Sequence, residues 1–164
     1  MNDLIELAKD LLTSGKVALI LGYTEDNITK RIKPVIIRKP EESGKLVFNH
    51  YAVNNLAVYL KNLKITTQGK IGIVAKGCDI RAITALIQEN QIKREDVFII
   101  GANCNSVVLN YKDKWSPVTS QSKCRACQLR EPKMYDALIG KLEDIKFPPS
   151  DKIAFIQKFE TKTA

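Results

Sequence analysis

Short apolar runs alternate along the chain with segments whose apolar residues recur at helical spacing. The runs predict strands near residues 17–22, 34–38, 70–76 and 97–101. The helical pattern predicts amphipathic helices through residues 4–12, 53–63 and 80–87. Alternating strands and helices are typical of an α/β fold, so the sequence predicts a three-layer domain with a mainly parallel sheet.

Nothing in the sequence divides this pattern into separate units. It contains no internal repeat and no linker-like stretch, so residues 1–164 are expected to form a single α/β domain. One further apolar pattern follows Pro148 and Pro149, with Ser150 placed as a helix cap. It predicts a short C-terminal helix near residues 150–160.

Two cysteines follow two of the predicted strands. Cys78 lies just beyond the strand at 70–76, and Cys104 lies just beyond the strand at 97–101. The carboxyl ends of parallel strands meet at one edge of a sheet, which is where ligands bind. If these strands are neighbours, the two thiols lie at the same edge.

The other two cysteines form a tight pair, Cys124-x-x-Cys127, after a polar stretch. This spacing lets two sulfurs reach one metal or cluster from a single loop. A thioredoxin-type redox pair would normally follow a strand and open a helix, which this pair does not. The chain has four cysteines, so the sequence favours one four-thiolate site over unlinked core cysteines and a surface pair.

The residues alone leave the metal open between zinc and iron–sulfur. Four sulfur ligands in a tetrahedral arrangement suit both zinc and the irons of an iron–sulfur cluster. Structural zinc usually takes two C-x-x-C knuckles on a small module, whereas these ligands are spread over about fifty residues of a domain that has its own core. An iron–sulfur cluster tolerates ligands from three separate segments, and the spacing favours it modestly.

Several stretches between residues 16 and 140 resemble a known family. They are KPVIIRKPEE, VNNLAVYL, GIVAKGCDIRAITALIQENQIKREDVFIIG, CRAC with its following proline, and YDALIG. Together they resemble the N-terminal region of the coenzyme-deazaflavin hydrogenase/dehydrogenase beta-subunit family, which are iron–sulfur flavoproteins of anaerobes. KGCD-x-R joined to ENQIKRE is the most distinctive part.

The resemblance implies an electron-transfer subunit of an anaerobic oxidoreductase complex, of hydrogenase or dehydrogenase type. It implies a 4Fe–4S cluster held by Cys78, Cys104, Cys124 and Cys127. The cluster would relay single electrons between a flavin or deazaflavin coenzyme and the redox centres of a partner subunit. The expected partners are therefore other subunits of a redox complex.

Lys76 and Arg81 flank Cys78 and are candidate cofactor contacts. Their charges could offset a negative cluster or face a phosphate. For Arg81, pairing with a carboxylate is an equal alternative, and Asp79 could cap the helix that follows.

The chain departs from the longer members of the family. It has no C-x-x-C-x-x-C-x-x-x-C-P segment and no G-x-G-x-x-G fingerprint. FAD is therefore expected at most at an interface with another subunit. Three alternatives stay open: a zinc-stabilised adaptor without redox chemistry, a self-sufficient flavin-dependent oxidoreductase, and a fragment of a longer protein.

Composition excludes several classes of function. Apolar residues make up 45% of the chain and charged residues 27%, and no stretch is apolar enough to span a membrane. The amphipathic N-terminus does not look like a signal peptide, so a cytoplasmic protein without membrane insertion is expected. The net charge of +8 is scattered among acids, which argues against nucleic acid. His50, the single histidine, is expected to be a surface or packing group, and no hydrolytic triad can be assembled. Whether the chain forms a homo-oligomer stays open.

Overall fold

Five strands form one sheet within residues 2–149, the part of the chain that the structure, a computed structural model, describes. They are β1 (Leu19–Glu25), β2 (Ile32–Ile37), β3 (Ile71–Ala75), β4 (Val97–Ala102) and β5 (Ala137–Ile139). Their order is β2-β1-β3-β4-β5, with β2 antiparallel to β1 and every other pair parallel. The predicted α/β fold with a mainly parallel sheet is confirmed.

Helices flank this sheet. The α-helices are α1 (Asn2–Thr13), α2 (Leu60–Thr66), α3 (Gly77–Gln88) and α4 (Ser122–Arg125). Three 3-10 turns cover Pro40–Lys45, Leu56–Tyr59 and Arg94–Asp96. Helix α1 packs on the first of these turns and on β1, whereas α3 packs on the second turn and on β3. Among the described residues, no helix has the length and apolar character needed to cross a membrane.

The centre of the sheet is buried on both faces. Every residue of β3 and β4 is buried, including Ile73, Ile99 and Ile100 at 0% exposure. A strand covered on both faces needs a continuous apolar run instead of alternation, which explains why these two segments are so clear in the sequence. Each fully buried side chain of this size contributes roughly 1.5–3 kcal/mol.

Strand β2 lies at the edge of the sheet, as its proline requires. Pro34 lies opposite Tyr23 in the antiparallel pair with β1. Proline has no N–H to donate, so a second neighbour on its other side would be left with an unpaired carbonyl. The edge position of β2 therefore fits the proline in its sequence.

The helix predicted over 53–63 begins later than expected. The Asn55 side chain accepts a hydrogen bond from the Ala57 N–H at 2.9 Å and opens a 3-10 turn, and α2 begins only at Leu60. Leu56, Leu60 and Leu63 are all buried. The apolar spacing thus identified the buried residues correctly. The helix begins later than predicted because the Asn55 cap opens a 3-10 turn first.

Strand β5 was not predicted, because three residues are too few to show a period. Asp136 joins it to β4: its carboxylate accepts a hydrogen bond from the Ile99 N–H at 2.7 Å and one from Arg94 at 2.8 Å. The predicted C-terminal helix near 150–160 lies outside the described residues.

We expect Asp136→Asn to lower the free energy of unfolding by about 1 kcal/mol at neutral pH. Burial opposes ionisation of this carboxyl, but Arg94 and the Ile99 amide outweigh it and hold its pKa below the usual value. A lowered pKa gives stability that is present above the unfolded-state pKa of about 4 and is lost as the pH falls through the folded-state pKa. The difference between the two proteins should therefore shrink as the pH falls below about 4.

Urea titrations at neutral and acid pH measure this difference. Asp144→Asn is the control, because Asp144 is exposed and forms no ion pair with any described residue. A loss at low pH as large as the loss at neutral pH would contradict the assignment.

Candidate metal centre

All four cysteines line one cavity at the carboxyl edge of the sheet. The cavity has a volume of about 170 Å³. Its walls contain Cys78, Cys104, Cys124 and Cys127, together with Val53, Lys76, Ser106, Val107, Lys123, Leu129 and Arg130. The structure thus places around one space the four thiols that the sequence assigned to one site.

Strand register positions the first two thiols. Ala75 of β3 pairs with Gly101 of β4 in the parallel ladder. Cys78 and Cys104 each lie three residues beyond this pair. Because neighbouring strands are about 5 Å apart, equal offsets deliver both side chains to the same edge.

The long connection between β4 and β5, residues 103–136, brings the second pair. An isolated bridge between Val108 and Ser120 joins the two arms of its first half. The Gln121 N–H then donates to the Val107 carbonyl at 3.0 Å, and α4 follows directly. Cys124 lies in α4, so the folded connection carries the C-x-x-C pair back to the cavity.

Buried hydroxyl groups hold this connection together. The hydroxyls of Ser106 and Ser120 are 2.7 Å apart, and Trp115 Nε1 donates to the Ser106 hydroxyl at 3.0 Å. His50 stacks on Trp115 with 3.8 Å between ring centroids, and its Nδ1 lies 3.1 Å from the Ser106 carbonyl oxygen. The single histidine therefore packs against the connection.

Gly77, the first residue of α3, permits the C-x-x-C segment to approach. A Cβ at this position would lie 1.9 Å from the Leu129 carbonyl oxygen, far inside van der Waals contact. The Leu129 N–H donates to Cys127 Sγ at 3.4 Å, and the Cys104 N–H donates to the Arg130 carbonyl at 2.9 Å. The segment after Cys127 thus touches both strand ends.

The thiols differ in their exposure to solvent. Cys78 is exposed and the other three are half-buried. Burial raises the pKa of Cys104 to about 12, against the Ser106 amide and the charge of Lys76. Desolvation by the surrounding protein also raises the pKa of Cys78 and of Cys124. These three thiols are therefore protonated at neutral pH, and a metal that binds them must displace protons.

The Leu129 amide donates a hydrogen bond to sulfur, and two other backbone amides affect the pKa of a thiol. The Ser106 amide lowers the pKa of Cys104, and the Val107 amide lowers that of Cys124, each against the larger effect of burial. The Leu129 amide donates to Cys127, as described above. An N–H beside sulfur stabilises a thiolate more than a thiol, but burial outweighs this effect at both Cys104 and Cys124.

A buried ion pair lies beside the cavity. Lys76 is 3% exposed and Asp79 is 0% exposed, and Lys76 Nζ lies 3.0 Å from Asp79 Oδ2. Nζ also donates to the Tyr23 hydroxyl and, at 2.8 Å, to the Asn54 carbonyl. The Asp79 carboxylate accepts the Lys76 N–H at 2.9 Å and so caps α3.

Tyr23 completes this network as a neutral group. Burial and the nearby charge of Asp79 raise the pKa of its phenol well above the usual value. The hydroxyl therefore keeps its proton, donates it to the Asn54 carbonyl at 2.5 Å and accepts from Lys76.

Zinc and an iron–sulfur cluster differ in how closely they gather their ligands. Within residues 2–149, no three His, Cys, Asp or Glu side chains lie close enough to share one metal ion. A mononuclear zinc site would need all four sulfurs about 2.3 Å from the ion. An iron–sulfur cluster is larger and spreads its thiolates over several irons. Four thiols around one apolar cavity are a donor set that zinc and iron–sulfur clusters share.

The two predicted cofactor contacts differ in position. Lys76 lines the cavity, whereas Arg81 is exposed on α3 and is absent from its walls, so a cofactor contact at Arg81 stays a prediction. The sequence analysis missed Leu129 and Arg130. Their position directly after the C-x-x-C pair was a usable signal, but nothing in one sequence shows that Gly77 faces Leu129.

Comparison with known proteins adds a likeness of fold. No family model matches the chain, and no curated protein matches it in sequence. Among solved structures, it is similar to a chain in the xenon-derivatized F420-reducing NiFe hydrogenase complex from Methanosarcina barkeri. The TM-score is 0.53 and the identity 22%, over 66% of this chain and 39% of the other. The match spans well under half of that neighbour, and at this identity it shows the fold alone.

We expect Gly77→Ala to lower the free energy of unfolding by about 1–3 kcal/mol, because the added methyl group clashes with the Leu129 backbone. Alanine is otherwise the better helix former, so a loss isolates the clash. The control is Gly44→Ala, where a Cβ meets nothing within 4 Å. Urea titration measures both variants, and equal stabilities would contradict the close approach.

We expect Lys76→Met to cost about 3–5 kcal/mol, because it leaves the Asp79 carboxylate buried without its partner. The double variant Lys76→Met with Asp79→Asn should recover part of this loss, since the asparagine oxygen can still accept the backbone N–H that caps α3. Thermal and urea unfolding of the three proteins test the pair. A single variant as stable as the parent would show that the ion pair does not stabilise the fold.

Proposed function

We propose that this chain is an electron-transfer iron–sulfur subunit of an anaerobic oxidoreductase complex. In this proposal Cys78, Cys104, Cys124 and Cys127 bind one 4Fe–4S cluster. The observation that carries it is the presence of all four thiols of the chain on the walls of one cavity. The family resemblance of the KGCD and CRAC segments supports the same ligand set.

A bound cluster of this type accepts and donates one electron at a time. The residues of the chain determine how readily it does so. The thiolates hold the cluster, and the Leu129 amide that donates to sulfur and the buried Lys76 ammonium favour the more negative, reduced state. Val53 and Leu129 supply apolar wall that limits the access of water.

In this proposal, electrons pass through the cluster between a flavin or deazaflavin coenzyme and a partner subunit. A likeness of fold to a chain of an F420-reducing hydrogenase complex supports this choice of coenzyme and of a multi-subunit setting. The cavity of about 170 Å³ is smaller than the roughly 300–1,000 Å³ of typical ligand pockets. A flavin is therefore proposed at an interface with another subunit, where its contacts would come from both chains.

The alternatives have less support. A zinc-stabilised adaptor would bind one ion through the same four thiols, and it lacks the support of the family resemblance. A self-sufficient flavin-dependent oxidoreductase would need a flavin pocket within this chain.

We expect protein prepared and reconstituted without oxygen to contain about four irons and four sulfides per chain. Cys104→Ser should lose most of both, because it removes a ligand at the end of β4. Ser122→Ala alters the same connection outside the thiol set and should keep both. Iron, sulfide, zinc and flavin analysis with absorption near 400 nm makes the measurement. One zinc per chain without sulfide would favour the adaptor, and stoichiometric flavin would favour the self-sufficient enzyme.

A further inference from the structure

The segment around the cysteine cavity carries a concentrated positive charge. Residues 104–130 hold five cations against one acid, a net +4, which is half of the +8 of the whole chain. The five are Lys112, Lys114, Lys123, Arg125 and Arg130. None of them forms an ion pair with a carboxylate of the described residues. This charge is therefore not neutralised locally.

Three of these cations lie beside the thiols. Lys123 and Arg130 line the cavity itself. Arg125 lies in α4 next to Cys124, and its guanidinium donates to the carbonyls of Ser120 and Val118. These hydrogen bonds to neutral groups hold the Arg125 charge in place without cancelling it.

Exposed aliphatic side chains adjoin this charge. Leu109 is 66% exposed and Val118 is 67% exposed. They lie on the two paired arms of the connection, where the Leu109 N–H donates to the Thr119 carbonyl at 2.9 Å. We call Leu109, Val118, Lys123, Arg125 and Arg130 the rim patch. Apolar contacts with surrounding charges are the usual composition of a specific protein interface.

We propose that the rim patch docks an acidic redox protein, one that carries carboxylates around its own redox centre. This inference rests on the proposed function, since a redox partner is required only if the cavity holds an electron carrier. Charge complementarity selects an acidic partner, because a cationic surface raises its association rate and repels basic proteins. Cys78, the exposed thiol, indicates that the cavity is open to solvent on one side.

The aromatic residues of the connection favour a protein over a nucleic acid. Trp115 is stacked on His50 and donates its N–H to Ser106, and the Tyr111 hydroxyl donates to the Ile32 carbonyl. Both rings are half-buried. Single-stranded nucleic acids bind by stacking bases on free aromatic faces, and neither Trp115 nor Tyr111 offers one beside the rim patch.

Binding of a small acidic two-iron ferredoxin tests the proposal. We expect its affinity to fall about tenfold between 50 and 300 mM salt, and basic cytochrome c not to bind. Lys123→Glu should weaken binding at low salt roughly fivefold or more, and Val118→Ser about threefold. Lys9→Glu makes the same charge change on α1 and should stay within about twofold of the parent. Circular dichroism confirms that each variant is folded.

Three results would overturn the proposal. They are a failure of the parent protein to bind the ferredoxin at low salt, an equal effect of Lys9→Glu and Lys123→Glu, and tighter binding of a single-stranded oligonucleotide through Lys123. Iron and sulfide analysis of the same samples separates this inference from the proposed function. If protein that cannot be loaded with a cluster still binds the ferredoxin through Lys123, the docking surface is supported and the proposed function is wrong. If cluster-loaded protein does not bind the ferredoxin, the docking surface is wrong and the proposed function is unaffected.

Discussion

The attraction between the Lys76 ammonium and the Asp79 carboxylate fixes the geometry on which the cysteine cavity depends. Taking two charges out of water costs several kcal/mol for each, so the pair is tolerable only where further hydrogen bonds complete both groups. Tyr23 and Asn54 supply these bonds to the ammonium, and the Lys76 amide supplies one to the carboxylate. The network thereby joins β1, the connection between β2 and β3, the end of β3 and the start of α3.

The same pair sets the electrostatics around the first thiol. Cys78 Sγ lies 3.9 Å from Asp79 Oδ1, a contact in which a protonated thiol can donate. An ionised sulfur could not donate and would be repelled by the carboxylate, while the ammonium would attract it. The Lys76 ammonium therefore acts on both the Asp79 carboxyl, whose pKa burial raises, and the sulfurs of the cavity.

The sequence was most informative where the chain is buried on both faces. The apolar runs of β3 and β4 predicted two parallel strands of one sheet. The structure pairs them as neighbours, and equal offsets then bring Cys78 and Cys104 to one edge. The position of the C-x-x-C pair was not predictable in the same way. It depends on one close contact between Gly77 and Leu129 and on polar bonds around Ser106, which leave no periodic pattern.

The place of the long connection between the last two parallel strands has a consequence for assembly. β5 can add to β4 only after residues 103–136 have folded back over the edge, so closing this connection costs conformational entropy before any pairing compensates for it. A group bound by thiols on both sides of the cavity would act as a cross-link between residues far apart in the chain. For comparison, a disulfide that closes a loop in a protein typically contributes about 2–4 kcal/mol. Loading the cavity and completing the sheet would then be one cooperative event, in which the bound group serves as a staple.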